Sequence, residues 1–286
     1  MQYTLENLNS FNPVHTFDCG QCFRWNKNDD GSFTGVAHGR VIKVSYTNNN
    51  FTLYNTNLQE FNLIWSKYFD IERDYEAVRA SLAIDDTMRL ATECGSGIRI
   101  LRQDTWETVV SFIISASNNI PRIKQIVESL CRLYGKQIYM DGKEYYTFPS
   151  PQDLCGIEEG DLAPIKSGFR AKYIVDAVKK ANNGSLDFAA LEKEDITTAR
   201  NMLLEVKGIG NKVADCILLF GCGRFDVFPV DTWIKKAMTA LYPAEVGSVK
   251  TIAEAGEKLF GKYCGLAQQY LFYYARENKL TLEDFN

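Results

Sequence analysis

The chain has 286 residues, 45% apolar and 24% charged, with a net charge of −4, the make-up of a folded protein with material for one large domain or two modest ones. The slight acidity neither proposes nor excludes a nucleic-acid partner, because DNA binding needs local positive potential rather than a basic total. No run approaches the ~18–20 apolar residues of a membrane span, which excludes a transmembrane helix.

The opening MQYTLENLNSF lacks the basic and apolar regions of a signal peptide. With eight cysteines and no export signal, free thiols in a reducing, cytoplasmic compartment are expected. CGQC, Cys19 to Cys22, has redox or metal spacing, yet it runs into strand and turn rather than opening a helix. A structural role is expected for it, with a thiol redox protein as the alternative. Cys222 and Cys264 do not complete the four-cysteine cluster of an iron–sulfur site, and the two histidines, His15 and His38, stand apart from other ligand-type residues. Neither an iron–sulfur cluster nor a His-based zinc site, and so no metal cofactor, is expected from these residues.

The first ~70 residues are strand-like on the period and turn criteria. CFRWNKNDDGSFTGVAHGRVIKVSYTNNNFTLYNT alternates β-branched and aromatic residues with polar ones, broken by NKNDDG, HG and TNNN, and predicts an antiparallel meander. From IERDYEAVRASLA the periodicity becomes helical and stays so almost to the end. The expected fold is α+β: an N-terminal antiparallel β domain over 1–75, then a helical region over 76–286. DTWETVVSFIISAS has Asp104 as N-cap and Glu107 at capping-box spacing, with an interior apolar on nearly every side, hence a buried central helix. IPRIKQIVESLCRLYG follows and stops at Gly135. A hairpin around Asp141–Gly142 is expected at about 136–148. SPQDLCGI and the segments after it read as helices.

Around residues 198–220, ARNMLLEVKGIGNKVADCILLF places Met202, Leu203 and Val206 on one helical face and Val213, Ile217 and Phe220 on the next. Between them Gly208 and Gly210 let the chain reverse through angles closed to residues with a Cβ. A tight turn opening a helix exposes unpaired N–H groups, an anion site that suits a DNA phosphate and reads no sequence. Lys212 sits in the first turn of that helix, where a cation opposes the dipole by ~0.3–1 kcal/mol. Three readings compete for it: a solvated surface lysine, a phosphate contact, or a nucleophile acting through its free amine.

A Pro-containing loop over 221–231, GCGRFDVFPVD, then ends at Asp231 before another helical pattern. Asp is a preferred N-cap, and capping also holds the carboxylate in place. The helix from 212 to 220 is only ~13 Å long, and ten loop residues can span ~33 Å, so Asp231 can return to the level of Lys212. There it could stabilise positive charge at a sugar carbon.

Hairpin, lysine and loop together resemble the helix–hairpin–helix DNA glycosylases, and within them the 8-oxoguanine DNA glycosylase/lyases. CGQCFRW, LRQDTWETVVSFIISASNNIPRI, YYTFPSPQDL, GFRAKYI, VKGIGNKVADCILLF and GLAQQYLFYYAR follow that group's signature segments in the same order. The resemblance covers most of residues 15 to 275. It implies excision of 8-oxoguanine from duplex DNA in base excision repair by an enzyme that flips the base out. Lys212 would attack C1′, forming a Schiff base, and β-elimination would cut the strand. Asp231 would stabilise the oxocarbenium-like charge.

The resemblance also assigns Cys216 to the base pocket, Phe272 to stacking on the extruded base and Gln268 to its Watson–Crick edge. The Gly20 carbonyl would face the N7–H that distinguishes 8-oxoguanine from guanine. Asn119 would fill the vacated space, Arg122 and Arg170 would contact the orphaned cytosine, and Phe169 would wedge beside it. Gly208 and Gly210 would hold a phosphate, and the carbonyls of Leu204, Val206 and Ile209 could bridge a cation. The implied partner is double-stranded DNA containing 8-oxoguanine, bound by a monomer, with no membrane. Three residues depart from the family pattern: Ser117 for asparagine, Phe169 for tyrosine and Trp233 for histidine. The first two put cytosine selection in question, and the third replaces a titratable phosphate contact by an indole N–H. The alternatives are a glycosylase of the same fold for another damaged base, or a non-catalytic helix–hairpin–helix DNA-binding protein, against which Lys212 and Asp231 together argue.

Overall fold

A computed structural model describes residues 1–248 and 250–278; the end of the helical region expected from sequence, 279–286, lies outside the described residues. Five strands form one antiparallel sheet: β1 (Gln2–Leu5), β2 (Trp25–Lys27), β3 (Phe33–Ala37), β4 (Arg40–Thr47) and β5 (Asn50–Tyr54). β2 to β5 make the expected meander, and β1 pairs along β5, giving the order β1-β5-β4-β3-β2. His38–Gly39 and Asn48–Asn49 turn the chain with positive φ at both positions, the conformation that matches two-residue hairpins to strand twist. Alternation sends Ile42, Val44, Phe51 and Leu53 into a core with Phe11, Phe17, Trp25, Trp65 and Phe69.

The strand-like reading ends at Tyr54. Residues Leu58–Tyr68 are helical, with a π-type turn at Phe61–Trp65. Phe61, Trp65, Tyr68 and Phe69 recur at three- and four-residue spacing and all enter the sheet's core, a helical period that the aromatic richness disguises as strand. A short helix at Pro13–Phe17, capped by Asn12, was also not expected.

Beyond residue 70 a second core forms among helices. Its axis is the helix Thr105–Ser115, in which every residue is buried except Glu107 and Ser115. The Asp104 carboxylate caps it by accepting from Glu107 N at 2.9 Å. The Glu107 side chain does not return the bond; desolvation pushes its carboxyl up to about 7, against the opposing pull of the Arg24 guanidinium. The hairpin β6 (Gln137–Met140) and β7 (Lys143–Tyr146) turns at Asp141–Gly142 as expected, and Met140 packs on Val36 and Val41 of the sheet's outer face. SPQDLCGI is not a helix but a series of turns, because Asp153 accepts from both Ser150 N and Ser150 Oγ and closes the chain locally. Among the described residues no helix is long and apolar enough to cross a membrane.

The two cores meet along the segment Thr16–Trp25. Cys19 and Phe23 point into the helical core while Cys22 and Trp25 point into the sheet's core. The CGQC thiols are thus separated by the alternation of the chain, and Cys19 Sγ instead donates to Thr16 O at 3.3 Å.

Candidate active site

The glycine hairpin joins the helices Ile196–Leu204 and Asn211–Phe220. Asp195 caps the first through Thr197 N and Thr198 N, whereas the second starts at Gly210 without a side-chain cap, so its first-turn N–H groups stay open to an anion. Gly208 has φ +84°, and a Cβ there would lie 2.4 Å from the Tyr173 ring; both conditions demand glycine. Gly210 differs from expectation. Its φ is −104°, open to any residue, and nothing crowds it, so it serves by leaving room over the helix N-terminus. Lys207 N donates to Asp176 at 2.9 Å, which confines the open amides to the Gly210 end. Val206 O already accepts from Ile209 N, and among the described residues no cluster of three His, Cys, Asp or Glu could hold a metal.

Helix Asn211–Phe220 packs against the central helix, with Phe220 stacked on Phe112 at 5.5 Å. This sets Lys212 half-buried above the same Phe112 ring, its Nζ 5.4 Å from the centroid. Cys216, one turn further, is buried beside the Lys212 amine, and burial pushes its thiol up to about 11. The loop after this helix buries Val227 and Phe228 and is tied down by Arg224 N to Leu218 O and by Gly265 N to Phe225 O. It returns Asp231 to the cavity that Lys212 lines. Asp231 Oδ1 caps Thr232–Leu241 by accepting from Ile234 N at 2.8 Å. The carboxylate is therefore held rigidly, facing the amine across a space with no ion pair between them among the described residues.

The helix Cys264–Glu277 supplies the opposite wall. Gln268 is 5% exposed and its Oε1 has no hydrogen-bond partner, an acceptor whose desolvation costs ~1–3 kcal/mol unless a ligand pairs it. Phe272 and Gly20 complete the wall, with the Phe272 ring against Gly20. The cavity measures about 60 Å³ and opens to the protein surface. Gln269, Gln21 and Phe112 were missed from sequence. A glutamine pair inside an otherwise apolar helix was the available signal for Gln269, and burial of Gln21 between two cysteines left none.

Toward the open side, Ser117 is exposed at φ +51°. Asn119 caps the helix Ile120–Tyr134, its Oδ1 accepting from Arg122 N at 3.1 Å, which leaves its amide N–H groups outward. Arg122 is exposed, with Nη2 on Lys166 O at 3.2 Å. Phe169 is 53% exposed and meets Tyr173 edge-on. Trp233 is 42% exposed, with Lys236 Nζ 5.9 Å above its ring. Arg170 does not present the free guanidinium expected from sequence. It is 7% exposed and donates to the carbonyls of Ala116, Ser117 and Ser167, leaving at most one N–H for a ligand. The left-handed Ser117 turn leaves the Ala116 and Ser117 carbonyls without backbone donors, and the buried arginine supplies them.

Residues 4–109 match the family model described as 8-oxoguanine DNA glycosylase, N-terminal domain, and residues 110–262 match HhH-GPD superfamily base excision DNA repair protein. A probable N-glycosylase/DNA lyase of Methanothermobacter thermautotrophicus is 30% identical over 78% of this chain and 76% of its own length. The N-glycosylase/DNA lyase OGG1 of Arabidopsis thaliana is 29% identical over 90% and 75%. The Clostridium acetobutylicum 8-oxoguanine glycosylase/lyase, solved with double-stranded DNA containing cytosine opposite 8-oxoguanine, superposes with a TM-score of 0.94 at 42% identity, over 98% of this chain and 96% of that one.

Proposed function

The chain belongs to the HhH-GPD superfamily of base excision DNA repair proteins and carries the N-terminal domain of the 8-oxoguanine DNA glycosylases; from that premise we propose that it excises 8-oxoguanine from duplex DNA and cleaves the strand at the resulting site. The observation that carries this reading is one cavity holding Lys212, Asp231 and the unpartnered acceptor of Gln268. The open amides at Gly210 grip a phosphate beside the lesion, and the nucleotide swings into the cavity because its glycosidic bond is unreachable in the stack. Gln268 Oε1 then accepts from the base's N–H edge, Phe272 stacks on its face, and the Gly20 carbonyl accepts from N7–H.

The free amine of Lys212 attacks C1′ as the bond to the base breaks. The bonding pair leaves with the base, which takes up a proton, and the amine gives one up. Asp231 stabilises the positive charge that builds at C1′ in a cavity shielded from water. Opening of the sugar ring gives the Schiff base, and loss of a C2′ proton expels the 3′ phosphate. Across the duplex, Asn119 and Arg122 face the orphaned base, Phe169 holds the gap apart, and Arg170 acts mainly by shaping the Ser117 turn. Trp233 donates its indole N–H to the backbone. A DNA substrate supports an intracellular site of action.

The test is borohydride trapping on duplexes carrying 8-oxoguanine opposite each base. Wild-type protein forms a covalent adduct, most with cytosine opposite, and Lys212→Gln forms none. An undiminished adduct from Lys212→Gln would refute the assignment.

A further inference from the structure

Gly20 lines the cavity with φ +81°, and a glycine holds one carbonyl direction only when the peptides on either side are fixed. Both are. Before it, Gln269 Nε2 donates to the Cys19 carbonyl at 2.6 Å, a contact between residues 250 positions apart. After it, the Gln21 side chain donates to the carbonyls of Thr16 and Arg99, each at 2.8 Å, and accepts from Leu101 N at 2.9 Å. Gln103 Nε2 meets the Gln21 carbonyl at 2.7 Å. Gln21 and Gln269 are 0% and 2% exposed, so these bonds form where water does not compete and where leaving them unmade is costly. The Gly20 carbonyl itself is taken by no donor among the described residues. Adjacent glutamines thus divide the work: Gln268 keeps an acceptor open to the cavity, while Gln269 commits its donor to the backbone.

We infer that Gln269 is a positioning residue for base selection, which locks the Cys19–Gly20 peptide so that the Gly20 carbonyl meets only a purine carrying hydrogen on N7. Guanine brings a lone pair to the same point, and two acceptors repel. The inference rests on the reading of the cavity given above.

Gln269→Met keeps the length and packing of the side chain and removes the donor. Single-turnover excision of 8-oxoguanine opposite cytosine falls about tenfold, equivalent to ~1.4 kcal/mol. Strand cleavage at a preformed abasic site needs Lys212 but no base, and stays within about twofold. Gln269→Glu, which sets an acceptor against the Cys19 carbonyl, loses more excision and keeps the same cleavage. Equal loss on both substrates would mark a merely structural residue, and unchanged excision would remove any role; either overturns the inference. Wild-type protein that cleaves abasic sites but spares 8-oxoguanine would instead overturn the reading of the cavity, and this inference with it.

Discussion

The cavity and the strand-facing loops are built in opposite ways. Lys212, Cys216, Gln268 and Phe272 stand on two helices whose inner faces are buried, and Gly20 is clamped between buried amides. The segments at 116–119 and 166–170 instead use left-handed residues at Ser117, Lys166 and Gly168, with an exposed Phe169 at the tip. Arg170 anchors both by gripping backbone carbonyls, with its guanidinium over the Phe169 ring. Covalent chemistry at one carbon tolerates little misplacement, so its groups sit on rigid elements. A duplex that must be opened deforms, and loops can follow it. The same contrast says where substitution is tolerated: two of the three departures from the family pattern, Ser117 and Phe169, lie in the loops.

Asp231→Asn should give the largest effect and tests rigidity most directly. Asparagine caps a helix as well as aspartate, so charge is lost while the fold is kept. Single-turnover excision should fall about 100-fold or more with the melting temperature nearly unchanged; a parallel drop in melting would mean that the cavity depends on the charge for its shape.

Arg170→Ala should break the loops rather than the chemistry. It strands the carbonyls of Ala116 and Ser117 and should cost ~1–3 kcal/mol in urea unfolding, with weaker binding to damaged and undamaged duplexes alike. Retained stability with loss of cytosine preference alone would make Arg170 a direct reader of the opposite base.

Ser117→Asn sharpens the contrast from the other side. Asparagine accepts positive φ more readily than serine, so stability should rise by about 0.5 kcal/mol, within the range of a relieved backbone. Excision opposite cytosine should gain on excision opposite adenine, measured as a ratio of rates.

The smallest effect lies on the rigid side. Burial raises the Glu107 carboxyl from 4.5 to about 7, so between those values the folded chain holds a proton that the unfolded chain releases. Stability therefore declines as pH rises through that window and levels off above it. Gln at this position carries no such proton, and melting of Glu107→Gln should lack the decline and exceed wild type above pH ~7.

Much of the molecule was legible because it is encoded by neighbours in the chain. Period-two alternation and paired turn residues marked the sheet from Trp25 to Tyr54, and Asp104 and Asp231 announced the helices that they cap. Gly208 announced the hairpin. The helical stretch at Leu58–Tyr68 was hidden because aromatic residues fit either period, and Gly210 was given Gly208's reason when only a neighbouring helix could tell them apart. Lys212 shows the limit most clearly. Its own segment allowed three roles, and only the folded chain sets it in one cavity with Asp231 and Gln268.

By itself the sequence determined most of the elements, several of their caps and turns, and the short list of groups able to do chemistry. The tertiary structure alone decided which arginine is free and which is consumed, that Gln269 reaches Cys19 from the far end of the chain, and that CGQC is split between two cores. Caps and periodicities depend on contacts within about four residues and so leave a local mark. Burial and long-range pairing depend on which surfaces meet, and no short window of sequence contains both partners.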